Sequence, residues 1–196
     1  NNCFALFMQQ GTGKTITALF RVAELYKEGK IKNALVICPK PVIGSWWRDI
    51  PLVNEYHGVR LENVIEVTNY EQLLTKGGQS KYMDKKWDCI ILDESHYIKN
   101  KSAKRTKACL KLALNSKYRY ILTGTPISNG QLENIYSQFT FLYPYKNKQW
   151  IHSKIFGTWT DFTREYCLLN QWYQPYKYIN VDKLQDIISK YSYRVT

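Results

Sequence analysis

Two short stretches of this chain carry residues suited to handling a phosphate. The first is Gly11-Thr12-Gly13-Lys14-Thr15, behind the apolar run Phe4-Ala5-Leu6-Phe7-Met8. Glycines let a backbone wrap closely around an anion, because a side chain there blocks the approach. A helix opening behind such a loop adds its positive end and its unpaired N–H groups. In a phosphate-binding loop of this kind, Lys14 reaches the β- and γ-phosphates of a nucleotide and Thr15 offers its hydroxyl to Mg²⁺. The second stretch is Asp93-Glu94-Ser95-His96, with Asp93 79 residues after Lys14. Asp93 is placed to hold the Mg²⁺, directly or through a water, and Glu94 to orient and deprotonate an attacking water. Each stretch also has a plainer reading, as a glycine turn or as two surface acids, and Met8 stands where the general phosphate loop has its first glycine. Each supplies what the other lacks.

Two further features bear on chemistry. Thr123-Gly124-Thr125-Pro126 is a hydroxyl-rich turn at the end of an apolar run, where open α/β sheets bind ligands, although a plain turn fits it as well. From Ser95 to Leu132 there are eight basic residues, Lys99, Lys101, Lys104, Arg105, Lys107, Lys111, Lys117 and Arg119, and no acidic one. On a helix over about Ser102–Leu114, Ala103, Thr106, Leu110 and Ala113 face the core and Lys104, Lys107 and Lys111 line the opposite side. The row is either a solvated face or a surface for a phosphate backbone, and the missing acids favour the second. The net charge of +12 points the same way, towards a polyanion.

The elements that must position these residues alternate between strand and helix. Helical spacing predicts a helix from Lys14 to about Lys27, ended by Gly29, and another over Val42–Ile50. The apolar runs Ala34–Cys38 and Cys89–Leu92 read as strands covered on both faces, with further strands at Asn63–Val67 and Tyr118–Leu122. Gly77-Gly78 reads as a loop. From Gln131 onward the chain reads as helical and rich in aromatic residues that belong to a core. The pattern predicts a doubly wound, mainly parallel α/β sheet with helices on both faces and a helical C-terminal extension. Cys3, Cys38, Cys89, Cys109 and Cys167 are scattered without metal-ligand spacing and read as small buried hydrophobes of a reducing compartment. No apolar run has the length needed to cross a bilayer, so no membrane partner is expected. The chain opens almost at once on a strand, which suggests a piece of a longer protein.

With these residues in place, the chain resembles the first RecA-like lobe of the Swi/Snf-type ATPases of helicase superfamily two. Gly11–Thr15 matches motif I of that family. Leu35–Pro39 with Trp46 resembles motif Ia, and Val67-Thr68-Asn69-Tyr70-Glu71 resembles motif Ib. Asp93–His96 with Ile98-Lys99-Asn100 resembles motif II, a DEAH-like box. Leu122–Asn129 is the most distinctive match, to motif III. The resemblance implies a helicase-related hydrolase that binds ATP and Mg²⁺ and tracks along DNA, duplex preferred. His96, Thr123, Gly124 and Thr125 would couple nucleotide to DNA. The residues implied for nucleic acid are Lys40, Thr68, Tyr70, Lys99, Lys101, Lys104, Arg105 and Lys107. It further implies residues 1–142 as the ATP-binding lobe, residues 143–196 as an extension closing it, and a second RecA-like lobe as a partner from elsewhere in the same chain. The strand Tyr118–Leu122 should then lie between those of the two phosphate-handling stretches. An intracellular setting is expected, and the small solitary motors of phages and bacteria are the nearest type. A restriction-enzyme motor subunit and a nucleotide-holding DNA scaffold without turnover are the other readings.

Overall fold

A computed structural model describes residues 1–147 and 150–195. The first half alternates as expected, through β1 (Cys3–Met8), α1 (Lys14–Lys27), β2 (Ala34–Cys38), α2 (Ile43–His57) and β3 (Ile65–Asn69). A single helical turn α3 (Lys76–Gly78) leads to β4 (Cys89–Asp93), α4 (Lys104–Ala113), β5 (Tyr118–Leu122) and α5 (Asn134–Leu142). Two antiparallel hairpins follow, β6 (Pro144–Asn147) with β7 (Trp150–Ser153), then β8 (Cys167–Leu169) with β9 (Pro175–Tyr178). Around them lie α6 (Trp159–Tyr166), α7 (Val181–Lys190) and β10 (Ser192–Val195).

Six strands form one parallel sheet in the order β10-β1-β5-β4-β2-β3. The strand Tyr118–Leu122 therefore lies between the other two as expected. All five residues of β2 and all five of β4 are buried, as continuous apolar runs require when both sheet faces are covered. Alternate residues serve opposite cores. Leu35, Ile37, Ile90 and Leu92 join Cys109 of α4 and Phe139 of α5, while Val36, Cys38 and Ile91 join Leu19 and Val22 of α1 and Trp46 and Ile50 of α2. All five cysteines are unpaired and buried among these groups. None of the described helices is long and apolar enough to cross a membrane.

Several boundaries differ from the sequence reading. Helix α2 runs past Ile50 and through Pro51 to His57, because the stripe Trp46, Ile50, Val53 keeps burying apolar surface beyond the proline. Strand β3 begins two residues later than expected, since Leu61–Asn63 closes a 3₁₀ turn that buries Leu61. Gly77 and Gly78 belong to α3, not to a loop, and the Thr75 side chain caps that turn by accepting the Gly78 N–H. The extension after Leu142 is helical only in part. Its hairpins expose Tyr145, Trp150, Trp172 and Tyr176, and its last strand returns to the main sheet as the neighbour of β1.

Candidate nucleotide site

Because every strand of the main sheet is parallel, the carboxyl ends of β1, β5 and β4 lie side by side at one edge. The stretches singled out in the sequence all leave the sheet there. After β1 the chain turns through Gly11 (φ 84°) and Gly13 (φ 85°), left-handed conformations that a side chain would strain. Space beside both glycines is open for at least 4 Å where a Cβ would project. Residues 11–13 are exposed and α1 starts at Lys14, so the helix's unpaired N–H groups stand behind an open, side-chain-free loop. The Thr12 hydroxyl donates to the Gln9 carbonyl at 2.6 Å, which tightens the loop. Thr15 is half-buried on the first turn of α1.

Lys14 is 9% exposed and folds back under the loop. Its Nζ donates to the Met8 carbonyl at 2.9 Å and the Gln9 carbonyl at 3.1 Å, and lies 4.0 Å from Glu94 Oε1. Asp93 ends β4 with its carboxylate buried. Trp46 Nε1–H donates to Oδ2 and the Glu94 N–H donates to Oδ1, each at 2.9 Å. Burial pushes the Asp93 carboxyl above the usual range, with the Trp46 bond and the Lys14 charge pulling the other way. Glu94 breaks the strand's alternation with φ 51°. That conformation is costly for a residue with a side chain. It lets two consecutive acids both feel Lys14.

The Glu94 carboxylate is gripped from the other side. His96 Nδ1 lies 3.2 Å from Glu94 Oε2 and 3.1 Å from Thr123 Oγ1, and the Thr123 hydroxyl stands 3.4 Å from the same carboxylate oxygen. The hydrogen bond from His96, helped by the Lys14 charge, holds the Glu94 carboxyl below its usual range. Thr123 is fully buried and accepts the Thr125 N–H at 3.1 Å. Gly124 fits tightly, since a Cβ on it would lie 3.3 Å from the Met8 carbonyl oxygen. Three segments thus meet at one spot: the glycine loop, the stretch Asp93–His96 and the turn after β5.

Three supporting residues were not assigned to the site from the sequence. Trp46, fully buried on α2, is a direct partner of Asp93. Gln138 on α5 accepts the Ser95 hydroxyl at 2.6 Å and donates to the Pro126 carbonyl at 2.7 Å, tying the segment after β4 to the segment after β5. Its signal was an amide in the middle of α5, flanked by the aromatic residues Tyr136 and Phe139. Tyr70 is the third. It was placed with the nucleic-acid residues, yet it is fully buried and donates to the Asp93 carbonyl at 2.8 Å. Thr68, from the same set, is also buried, at 3% exposed. As they stand, neither side chain can reach an external phosphate.

The remaining nucleic-acid candidates divide by how engaged they are. Lys99 donates to Ser128 Oγ at 2.8 Å, Lys101 sits 4.9 Å over the Trp159 ring, and Arg105 pairs with Glu71 at 3.7 Å. Lys40 is exposed in the turn after β2. Lys104, Lys107 and Lys111 are exposed along α4, and among the described residues none of them has an acidic partner.

A family model of the SNF2-related domain matches residues 51–196. The SWI2/SNF2 ATPase core of Sulfolobus solfataricus, solved in complex with dsDNA, is similar over the whole chain, phosphate loop included. Its TM-score is 0.77 at 26% identity, with 100% of this chain and 40% of that one covered. Among curated proteins, CHROMATIN REMODELING 24 of Arabidopsis thaliana is 32% identical over 162 residues, covering 68% of this chain and 15% of its own length. The DNA excision repair protein ERCC-6-like of Danio rerio is 28% identical over 177 residues, covering 80% of this chain and 11% of its own. The chain therefore spans a small part of the curated relatives it matches and less than half of the archaeal core. A matching family model over most of the chain and a likeness of fold from end to end lead to one conclusion: this chain belongs to the SNF2-related domain family.

Proposed function

We propose that this chain is the nucleotide-holding first lobe of a DNA-dependent ATPase that moves along duplex DNA. The observation that carries the reading is the Lys14–Glu94–His96–Thr123 cluster, where groups from three adjacent strand ends share one carboxylate. ATP fits this edge of the sheet. The open, left-handed glycines leave room for phosphates against backbone N–H groups, and Lys14 offers an ammonium to the outer ones. Thr15 and Asp93 are the residues that would hold Mg²⁺, and a buried carboxylate raised by desolvation is a group that a cation would stabilise. When bound, Mg²⁺ supplies charge neutralisation on the phosphate oxygens. Glu94, kept ionised by His96 and Lys14, is the base that orients and takes a proton from water. His96 and Thr123 sense the state of Glu94, and the turn they belong to carries that state outward.

DNA would lie along exposed cations, with Lys40, Lys104 and Lys107 as direct phosphate contacts. Lys99, Lys101 and Arg105 serve as partly engaged neighbours. Completion of the active cleft falls to an opposing lobe, whose arginines in related phosphoryl-transfer sites are worth about 10³–10⁵ in rate. The chain alone should therefore bind ATP but turn it over very slowly.

The test is equilibrium binding of a fluorescent ATP analogue with Mg²⁺ to the 196-residue chain and its Lys14→Ala variant, folding checked by circular dichroism. The expected result is saturable binding by the parent and a loss of at least about tenfold in the variant, the scale of one charge-assisted contact of 1.4 kcal/mol or more. Equal binding by a folded variant would overturn the assignment of Lys14, and no binding by either would overturn the nucleotide site.

A further inference from the structure

On the side of the molecule where α4 meets the first hairpin lies a cavity of about 670 Å³. That is within the range of about 300–1,000 Å³ typical of ligand sites. Its walls bring Lys101, Lys107 and Lys111 together with Trp150, His152 and Trp159, and no acidic residue lines it among those described. The two indoles differ in how they are held. Trp159 is half-buried, stacked on Phe162 and edge-on to Tyr136, with the Lys101 ammonium over its ring. Trp150 stands on β7 with 69% of its surface exposed.

Three ammonium groups around one concavity repel each other until an anion enters. A large indole, 69% exposed, beside them adds an apolar face that none of the described residues covers. Phosphate alone would satisfy the lysines and leave Trp150 unused, and an apolar ligand would do the reverse. A nucleotide strand satisfies both at once. Within a duplex the base faces are hidden in the stack, so away from its ends only an unstacked base can lie against an indole. A positively charged groove interleaved with aromatic faces is how proteins hold single strands without reading their sequence.

We propose that this cavity binds single-stranded DNA, with a base stacked on Trp150 and flanking phosphates on Lys107 and Lys111. The inference rests on the reading of this lobe as DNA-binding and adds to it a strand-specific site away from the nucleotide edge, which shares Lys107 and Lys111 with the lysine row of α4. It gives such a lobe a way to hold an unpaired end or an extruded base.

The test is fluorescence anisotropy of the full 196-residue chain, across a salt series, on two probes. One is an oligo-dT of about 12 nucleotides, within the span of about 4–16 that such grooves cover. The other is a blunt duplex. Trp150→Ala should weaken oligo-dT binding about 5- to 100-fold with an unchanged salt slope, because stacking releases no counterions. Its duplex affinity should stay within about twofold of the parent, well under the smallest stacking loss. Trp150→Phe should keep most of the oligo-dT affinity. Lys107→Ala and Lys111→Ala should each make the oligo-dT salt slope shallower by about 0.7. Oligo-dT binding unchanged in Trp150→Ala, or weakened no more than duplex binding, would overturn the proposal. A parent chain that binds the duplex but not oligo-dT would overturn this inference alone, and one that binds neither would overturn the DNA reading with it.

Discussion

Trp46 spends its only polar atom on a carboxylate, deep inside the protein. The indole N–H holds one oxygen of Asp93 while the Glu94 backbone holds the other, so the acid enters the site with its orientation fixed. Trp46→Phe removes the donor and trims the ring, leaving a buried carboxylate oxygen short of a partner and a small void beside it. The expected cost is about 1–3 kcal/mol of stability, read by urea unfolding without nucleotide, together with weaker Mg²⁺-dependent ATP binding. Unfolding that matches the parent would show that the bond contributes nothing. The sequence made Lys14, Asp93 and Glu94 legible because their chemistry is tied to short, local patterns. It did not show Trp46, Tyr70 or Gln138 as supports, since their partners lie far along the chain and a buried aromatic or amide looks the same whether it packs or positions. Tyr70 is the instructive case. Its place in the segment resembling motif Ib put it among the nucleic-acid residues, whereas its hydroxyl props the backbone of Asp93 from within.

At the scale of elements, the strands under both cores were legible from their continuous apolar runs, and the phosphate helix from its spacing. Shorter pieces were not. Gly77-Gly78 signals a loop by composition, yet Gly78 is buried so tightly that a Cβ would stand 1.7 Å from the Gln72 carbonyl oxygen. Backbone on that side cannot yield as a side chain would. Gly78→Ala should therefore destabilise the protein by about 1–3 kcal/mol, the usual penalty of overpacking, while Gly77→Ala, with open space beside it, should cost much less. Thermal melts of the two variants decide it, and equal effects would refute the packing argument. The hairpins after Leu142 were hidden for another reason. Their strands are only three or four residues long, too short for a period of two to show, and only pairing with a neighbour turns such segments into strands. Helix α4 behaves as its pattern said, with Thr106, Leu110 and Ala113 buried and Lys104, Lys107 and Lys111 outward. If that outward row meets duplex phosphates, changing all three lysines to alanine should weaken duplex binding and flatten its log–log salt slope by up to about 2.7, at 0.9 per contact. ATP binding should stay the same. An unchanged slope would make the row a solvated face.

At the scale of the whole molecule, the order of strands places the glycine loop, the acids and the turn after β5 at one edge, and that order followed from the alternating pattern and the family resemblance. The extension was expected to close the lobe, but as a helical piece; what neither suggested is that it adds a strand, β10, to the main sheet beside β1. Strand β1 has two neighbours, β5 and β10, registered with Cys3 against Arg119 and Ala5 against Ser192. Its partners are thus 116 and 187 positions away, while β2 and β3 pair within about thirty. Such distant closures are slow, because chain entropy must be lost before any contact rewards it. On a ribosome, where segments emerge at about 5–20 residues per second, the strand carrying the glycine loop leaves before either of its sheet neighbours. Its first neighbour, β5, follows 116 positions later, and its second, β10, 187 positions later. Within this lobe, the strand that carries the glycine loop is therefore fully framed only after the paired acids and the turn after β5 have both been made.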